Sequence, residues 1–354
     1  MKKLLYIRHS YHSKTKSNDF LVDLLRTNYD VFIFDIDPYT HDTESRLKEL
    51  RIKEVDVLLL FQLPISGNLL KKYIEFKKGI FFPMYDGAPS RKDDIWLSWK
   101  DFNIINFSKT LHDELLNMGF STFYIQYFPK PYEIKDWGDE KSIFFWQRLT
   151  KLNFNTLYNI FKYLDLKNVH IHKAIDPSND FVEPANNNLN IEYSVWYENK
   201  NEMLKDIEKS AFYVAPRLYE GIGMSFLEAM SMGRCVISPN YPTMNEYIKD
   251  GETGILYDFN DPKIRKRYDI KKIQENTYKY INEGFTCWTN NKHRILDYIN
   301  SPVECNEKKL SKIIFSNKQK LNFIQKIFSI INNNTKTHKI ITILGIKIKI
   351  KRKT

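Results

Sequence analysis

"AFYVAPRLYEGIGMSFLEAMSMGRCVIS", Ala211 to Ser238, is the stretch from which the fold can be read. Phe212 to Pro216 is apolar and β-compatible. Gly221 and Gly223 open the backbone, and Met224 to Met232 reads as a helix. Gly233 suits the position just past a helix C-terminus, where a left-handed residue is favoured. "CVIS" (235–238) is a second short apolar run. The order is strand, loop, helix, loop, strand.

The same alternation extends outward in both directions. Upstream lie "LLYI" (4–7), "VFIF" (31–34), "VDVLLLF" (55–61), "GIFFPMY" (79–85), "NIINFS" (103–108) and "STFYIQY" (121–127). Amphipathic stretches such as "NDFLVDLLRTNY" and "KTLHDELLNMGF" separate several of them. "YFPKPYEIKDWGDEK" is rich in proline, glycine and charge and reads as an interdomain linker. The pattern then restarts with "SIFFWQR" (142–148), "NVHIHKA" (168–174), "FYVAP" (212–216), "CVIS" and "GILY" (254–257). Strands separated by helices imply parallel sheets covered on both faces. The expected architecture is α/β, two doubly wound Rossmann-like domains facing a cleft. The boundaries read are 1–135, 136–285, a return helix over 286–300 and a basic tail over 301–354.

A length of 354 residues fits two domains. No run of 18 apolar residues appears, so no transmembrane helix is expected. The opening "MKKLLYIRHSYHSK" has too short an apolar core for a signal peptide, which points to the cytoplasm. Cys235, Cys287 and Cys305 show no paired spacing and read as free thiols. Of the 54 basic and 43 acidic residues, 13 and 2 fall in 301–354, so the tail holds the whole net charge of +11. The neutral body is no polyanion binder, and nucleic-acid binding is not expected.

Glu220 and Glu228 flank the glycine turn. Eight helical steps at ~100° each would leave them roughly 80° apart, but the glycines break that geometry. One reading is a capping Glu220 and a solvated Glu228; the other is two carboxylates bordering one crevice. Gly221 and Gly223 clear the approach to a helix N-terminus, whose free N–H groups and positive dipole end suit a diphosphate. Carboxylates repel phosphate but accept hydrogen bonds from sugar hydroxyls. Together these features fit a nucleotide sugar.

"EGIGMSFLEAMSMGRCVISPNYPTMNEYIKDGETGILYD" (220–258) resembles the donor-domain core of glycosyltransferase family 4, retaining enzymes of GT-B fold. The likeness lies in a glutamate, seven residues, a second glutamate, a helix with alanine, glycine and a "VI" strand, then "NEYIKDGETGILYD". It is continuous over about forty residues and looser over 140–260. The resemblance implies that Glu228 holds the donor ribose, that Glu220 contacts the donor sugar, and that Gly221, Ile222, Gly223 and Met224 face phosphate or sugar. It also implies a basic pair on the diphosphate, for which "FFWQRLTK" offers Arg148 and Lys151, the lysine at a spacing of three rather than the usual five. Arg217 stands where relatives carry a small hydroxyl residue, and reads either as a phosphate contact or as an outward-packing side chain. The glycine pair usual after the first strand is missing from "RHSYHSKTKSN". His9, Ser10 and His12 are the acceptor-side candidates there, with a plain surface loop as the alternative.

In "FFPMYDGAPS", Asp86 follows a strand where relatives often carry a histidine. It is the second catalytic candidate, or else a turn residue before Gly87. Asp35-Ile36-Asp37 resembles a metal-binding D-x-D, but its place before Pro38 reads as an ordinary strand end, and no metal or other cofactor is expected. The function implied is retaining transfer of a hexose from a UDP- or GDP-sugar to a saccharide or lipid-linked acceptor, in bacterial surface polysaccharide synthesis. The alternative is a non-catalytic nucleotide-sugar-binding protein tethered to a membrane. Leu310, Ile313, Ile314, Leu321, Ile324, Phe328 and Ile331 lie near helical spacing, and "IITILGIKIKIKRKT" alternates Ile and Lys like a strand. Residues 308–354 are expected to attach to the anionic inner face of the cytoplasmic membrane, or else to pack on the N-terminal domain.

Overall fold

The computed structural model describes residues 1–88, 91 and 93–314, and the backbone of 328–332, 338–343 and 346–351. Two six-stranded sheets carry the chain. The first holds β1 (Lys2–His9), β2 (Tyr29–Ile36), β3 (Glu54–Phe61), β4 (Glu75–Phe82), β5 (Phe102–Asn106) and β6 (Thr122–Tyr124), in the order β2-β1-β3-β4-β5-β6. The second holds β7 (Asp139–Trp146), β8 (Asn168–His172), β9 (Asn190–Ser194), β10 (Ser210–Val214), β11 (Cys235–Pro239) and β12 (Ile255–Tyr257), in the order β12-β11-β10-β7-β8-β9. Every pairing in both sheets is parallel.

Parallel strands covered on both faces need helices with one apolar stripe. Helix Asp19–Arg26 buries Leu21, Val22, Leu24 and Leu25. Helix Phe154–Tyr163 buries Phe154, Leu157, Ile160 and Phe161. This is the three-to-four-residue period of a helix resting on a sheet. All eleven runs quoted as strands contain strands. Two departures have physical causes. The run 79–85 stops at Phe82, because Pro83 has no N–H for the ladder and Tyr85–Gly87 turns as a 3-10 helix. β9 went unread because it is an edge strand, half exposed and polar, without an apolar run.

The crossing between the sheets is tied down along its length. Phe128 packs against Gly284, where an added Cβ would lie 2.2 Å from the ring. That contact explains a glycine inside a helix, which otherwise costs about 1 kcal/mol relative to alanine. Gly284 belongs to helix Ile270–Asn291, which packs on the second sheet's side. Its last turn brings Trp288 against Phe20, Phe107 and Tyr127, at ring distances of 5.7, 6.5 and 5.1 Å. Helix Arg294–Asn300 then lies on the first domain, where the hydroxyls of Tyr298 and Ser121 are 2.8 Å apart.

A second tie is electrostatic. Glu246 accepts from Lys109 N–H at 2.7 Å, Thr110 N–H at 3.0 Å and the Ser108 hydroxyl at 2.8 Å. One domain's carboxylate thus caps the other domain's helix Lys109–Met118 at its positive end. Glu246→Ala is expected to lower stability by about 1–2 kcal/mol, measured by urea denaturation; an unchanged midpoint would count against the cap.

The tail divides. Residues 307–314 are helical, with Leu310 buried and Ile313 packed against the core of the first domain. Leu321 and Ile324 lie outside the described residues. Phe328 and Ile331 belong to a strand, not to a continuing helix. Phe328–Asn332, His338–Ile343 and Ile346–Lys351 form an antiparallel three-stranded sheet, so the Ile/Lys alternation is a strand, as its period indicates. Among the described residues no helix is long and apolar enough to cross a membrane, and all three cysteines are free.

The strand orders place the ligand. In such sheets the open crevice lies beyond the carboxyl ends of the two strands where the order reverses. That is beyond β1 and β3 in the first sheet, and beyond β7 and β10 in the second.

Candidate functional site

Both crevices open onto one cavity of about 590 Å³. The segment after β1 and the end of β3 supply Tyr11, His12, Lys14, Lys16 and Gln62; the loop after β4 supplies Met84 and Asp86. The second domain supplies Arg148 after β7, Trp196, Tyr197 and Lys200 after β9, and Arg217, Glu220 to Ser225 and Glu228 after β10.

The glycine turn has the geometry its residues suggest. Gly223 has φ +84° and stands at the N-cap of helix Met224–Ser231, with no side-chain cap. The first N–H groups of that helix are therefore free of a side-chain acceptor, beside the cavity-lining Met224 and Ser225. An added Cβ at Gly223 would lie 1.8 Å from the Phe226 ring, and one at Gly221 would lie 2.7 Å from Met84 of the other domain. Gly223→Ala is expected to cost about 2–3 kcal/mol from strain and overlap, read by thermal unfolding; wild-type stability would show that the turn is not needed. Gly233 closes the helix at φ +71°.

Glu220 and Glu228 are 8% and 6% exposed and both line the cavity, so neither is a solvated helix face. Burial pushes the Glu220 carboxyl up to about 7, with Arg217 and Arg148 opposing and Asp86 and Asp176 reinforcing. Burial also raises Glu228, while Lys200 pulls it back through an ion pair.

The arginines form a chain of ion pairs across the cleft. Arg148 Nη2 lies 2.6 Å from Asp176 Oδ1, and Arg217 Nη2 lies 2.6 Å from Asp176 Oδ2. Arg217 Nη1 reaches Asp86 Oδ2 of the first domain at 3.2 Å. Burial works against the Arg217 charge, but Glu220, Asp176 and Asp86 more than offset it and hold its pKa above the ordinary value. Burial raises Asp86, countered chiefly by Arg217, and its buried Oδ1 has no hydrogen-bond partner among the described residues. Arg217 does not pack outward; it joins the two domains.

Of the other candidates, His12 lines the cavity; Lys151, His9 and Ser10 are not among its lining residues. Lys151 is exposed, and its carbonyl accepts from Thr156. His9 Nδ1 accepts from Tyr11 N–H. His12 is wedged between Ser17 Oγ and Gln62 Oε1, both at 2.7 Å. Burial lowers its pKa to about 4, so it is neutral at pH 7. Asp35 bonds Arg8 at 2.8 Å, within the sheet. Among the described residues no group of three or more His, Cys, Asp or Glu is placed to hold a metal ion.

Sequence reasoning missed an aromatic wall. His172 stacks on Tyr197 at 4.8 Å and meets Trp146 edge-on at 5.2 Å, and Arg148 lies 4.7 Å over Trp146. It also missed Asp176, in the loop after β8, and Lys200, the first residue of helix Lys200–Glu208. Their one signal was position, just beyond strand carboxyl ends.

Residues 183–283 match the family described as Glycosyl transferases group 1. The chain is 28% identical over 154 residues to an uncharacterized 41.2 kDa protein in the cps region of Klebsiella pneumoniae, covering 43% of this chain and 41% of that protein. It is 32% identical over 69 residues to O-antigen chain mannosyltransferase B of Escherichia coli, covering 20% of this chain and 18% of that protein. These matches span less than half the length of either relative. Sucrose-phosphate synthase from Thermosynechococcus elongatus superposes with a TM-score of 0.58 at 11% identity, over 83% of this chain and 99% of that one, a likeness of fold. The chain is thus a two-domain α/β protein of GT-B fold that matches the group 1 glycosyl transferases over the segment bearing Glu220, the glycine turn and Glu228.

Proposed function

We propose that the protein is a retaining glycosyltransferase that moves a hexose from a UDP- or GDP-sugar to a saccharide or lipid-linked acceptor. The observation that carries this reading is the convergence of two buried carboxylates and an uncapped helix N-terminus on one cavity between the domains. The N-terminus and Arg148 take the diphosphate. Glu228 accepts hydrogen bonds from the ribose hydroxyls, and the aromatic wall lies alongside as a surface for the base. Glu220 accepts from the hexose, and Asp86, on the opposite wall of the cavity, contributes its carboxylate charge beside it.

In the transfer, the bond from C1 to the phosphate oxygen breaks and one from C1 to the acceptor oxygen forms on the same face. The acceptor's proton passes to the leaving diphosphate. The protein contributes positioning, charge stabilisation and exclusion of water. Surface polysaccharide synthesis is the setting suggested by the O-antigen mannosyltransferase relative. A screen of nucleotide sugars for nucleoside diphosphate release, wild type against Glu220→Ala, tests the reading. Donor-specific release lost in the variant supports it; binding without release from any donor and acceptor mixture favours the non-catalytic alternative.

We also propose that the tail beyond 314 attaches the enzyme to an anionic membrane face, since residues up to Ile313 already pack on the first domain. Anionic vesicles are expected to co-sediment the full chain but not a 1–314 truncation; equal binding of both sinks the attachment.

A further inference from the structure

The cations of the donor-side wall are already matched. Arg148 and Arg217 share Asp176, and Lys200 holds Glu228. Arg148 and the helix N-terminus meet one side of a diphosphate, and because Arg148 already shares Asp176, the second side calls for further positive charge. Two cavity-lining lysines have no carboxylate within ion-pair distance among the described residues: Lys14 and Lys16, on the opposite wall.

Their placement is built by the chain. After β1 comes the short helix Tyr11–Thr15 where a backbone-lined approach would need glycine. Lys16 ends that helix at φ +57°, a left-handed conformation that costs a lysine free energy. The adjoining His12–Ser17 bond at 2.7 Å fixes the turn. Lys14 Nζ lies 4.3 Å over the Trp196 ring, so its ammonium already spans the cleft to the donor domain.

We propose that Lys14 and Lys16 form a phosphate-binding clamp on the N-terminal wall of the cleft. Its ligand is a phosphate group, supplied either by the nucleotide-sugar donor or by a phosphorylated acceptor; the choice of these two sources rests on the transferase reading above. Because the lysines and the helix N-terminus of Met224–Ser231 belong to different domains, a phosphate between them draws the walls together.

Calorimetry with inorganic pyrophosphate on the full chain tests the clamp without any turnover. Lys14→Ala and Lys16→Gly are each expected to weaken binding about tenfold, the loss of one charge-assisted contact. The exposed Lys162→Ala is expected to bind as wild type does. Lys16→Gly also relieves the left-handed strain, so it is expected to unfold no earlier than wild type, which separates lost affinity from lost fold. A parallel fall in nucleoside diphosphate affinity assigns the donor as the source. A fall for a glycosyl phosphate alone assigns the acceptor. Pyrophosphate affinity unchanged in both variants, or no pyrophosphate binding by the wild type, overturns the clamp. Absence of glycosyl transfer in the donor screen leaves this calorimetric test intact, so the two readings fail separately.

Discussion

Glu220→Gln is expected to be more stable than the wild type above pH 7 and to have lost nearly all transfer. The carboxyl's pKa is near 7 in the folded protein against 4.5 for the free group, because burial disfavours its charge. A raised carboxyl pKa gives stability that is fully present below the unfolded value and is lost as pH rises through the folded one. Between pH 4.5 and 7 the native state holds the proton more tightly, so the wild type weakens by about 1.4 kcal/mol per pH unit, or about 3 kcal/mol in all. Glutamine has no such charge to bury. The variant's advantage is therefore nil below pH 4.5 and full above 7, a rise in Tm of about 4 °C at pH 8. In the proposed transfer Glu220 faces the hexose, and losing its carboxylate is expected to cost at least a hundredfold in kcat/KM. Thermal melts from pH 4 to 8 check the first part; a stability gap that does not change with pH contradicts it. The wild type's kcat/KM should fall on the acid side with a midpoint near 7, as the ionised form is depleted.

Arg217→Met is expected to be the most damaging single change to stability in the cleft. Arg217 is the link between Asp86 and Asp176, at 3.2 and 2.6 Å. Asp176 keeps Arg148 when the link is lost, but among the described residues Asp86 then has one oxygen without a partner and the other without its cation. Removing one member of a buried ion pair typically costs about 3–5 kcal/mol, most of it the uncompensated charge left behind. Arg217→Lys should recover little, since a single ammonium cannot serve two carboxylates in the guanidinium's fork geometry. Asp86→Asn in the Arg217→Met background should recover part of the loss by removing the stranded charge. Urea denaturation of the three variants measures this. A loss below about 1 kcal/mol for Arg217→Met would mean that the bridge is a solvated surface pair.

Much of this was legible in the sequence, and the boundary follows a physical line. Short apolar runs separated by amphipathic stretches identify buried parallel strands, because both faces of such strands must be covered. The glycine turn was legible because Gly223 at φ +84° and Gly233 at φ +71° sit where other residues are strained. The cavity's far contributions were not legible. Asp176 matters because β7, β8 and β10 bring three loops to one edge, a consequence of strand order that local sequence does not encode. Lys200 meets Glu228 from 28 residues away by the same route. Arg217 could be seen as the odd residue of its motif, but its partners Asp86 and Asp176 lie 131 and 41 positions off. β9 was hidden by its polarity, and the turn before Gly87 was legible, although the strand run leading to it was carried too far, to Tyr85.

Retaining transfer from a nucleotide sugar is the proposed reaction on which the roles of Glu220, Glu228 and the glycine turn depend. The most direct test incubates the full chain with an α-linked nucleoside diphosphate hexose and an oligosaccharide acceptor, and follows the anomeric proton of the product by NMR. The expected result is a new α-glycosidic linkage formed in step with nucleoside diphosphate release, both abolished in Glu220→Ala. A β-linked product, or free hexose released with the acceptor unmodified, would contradict it.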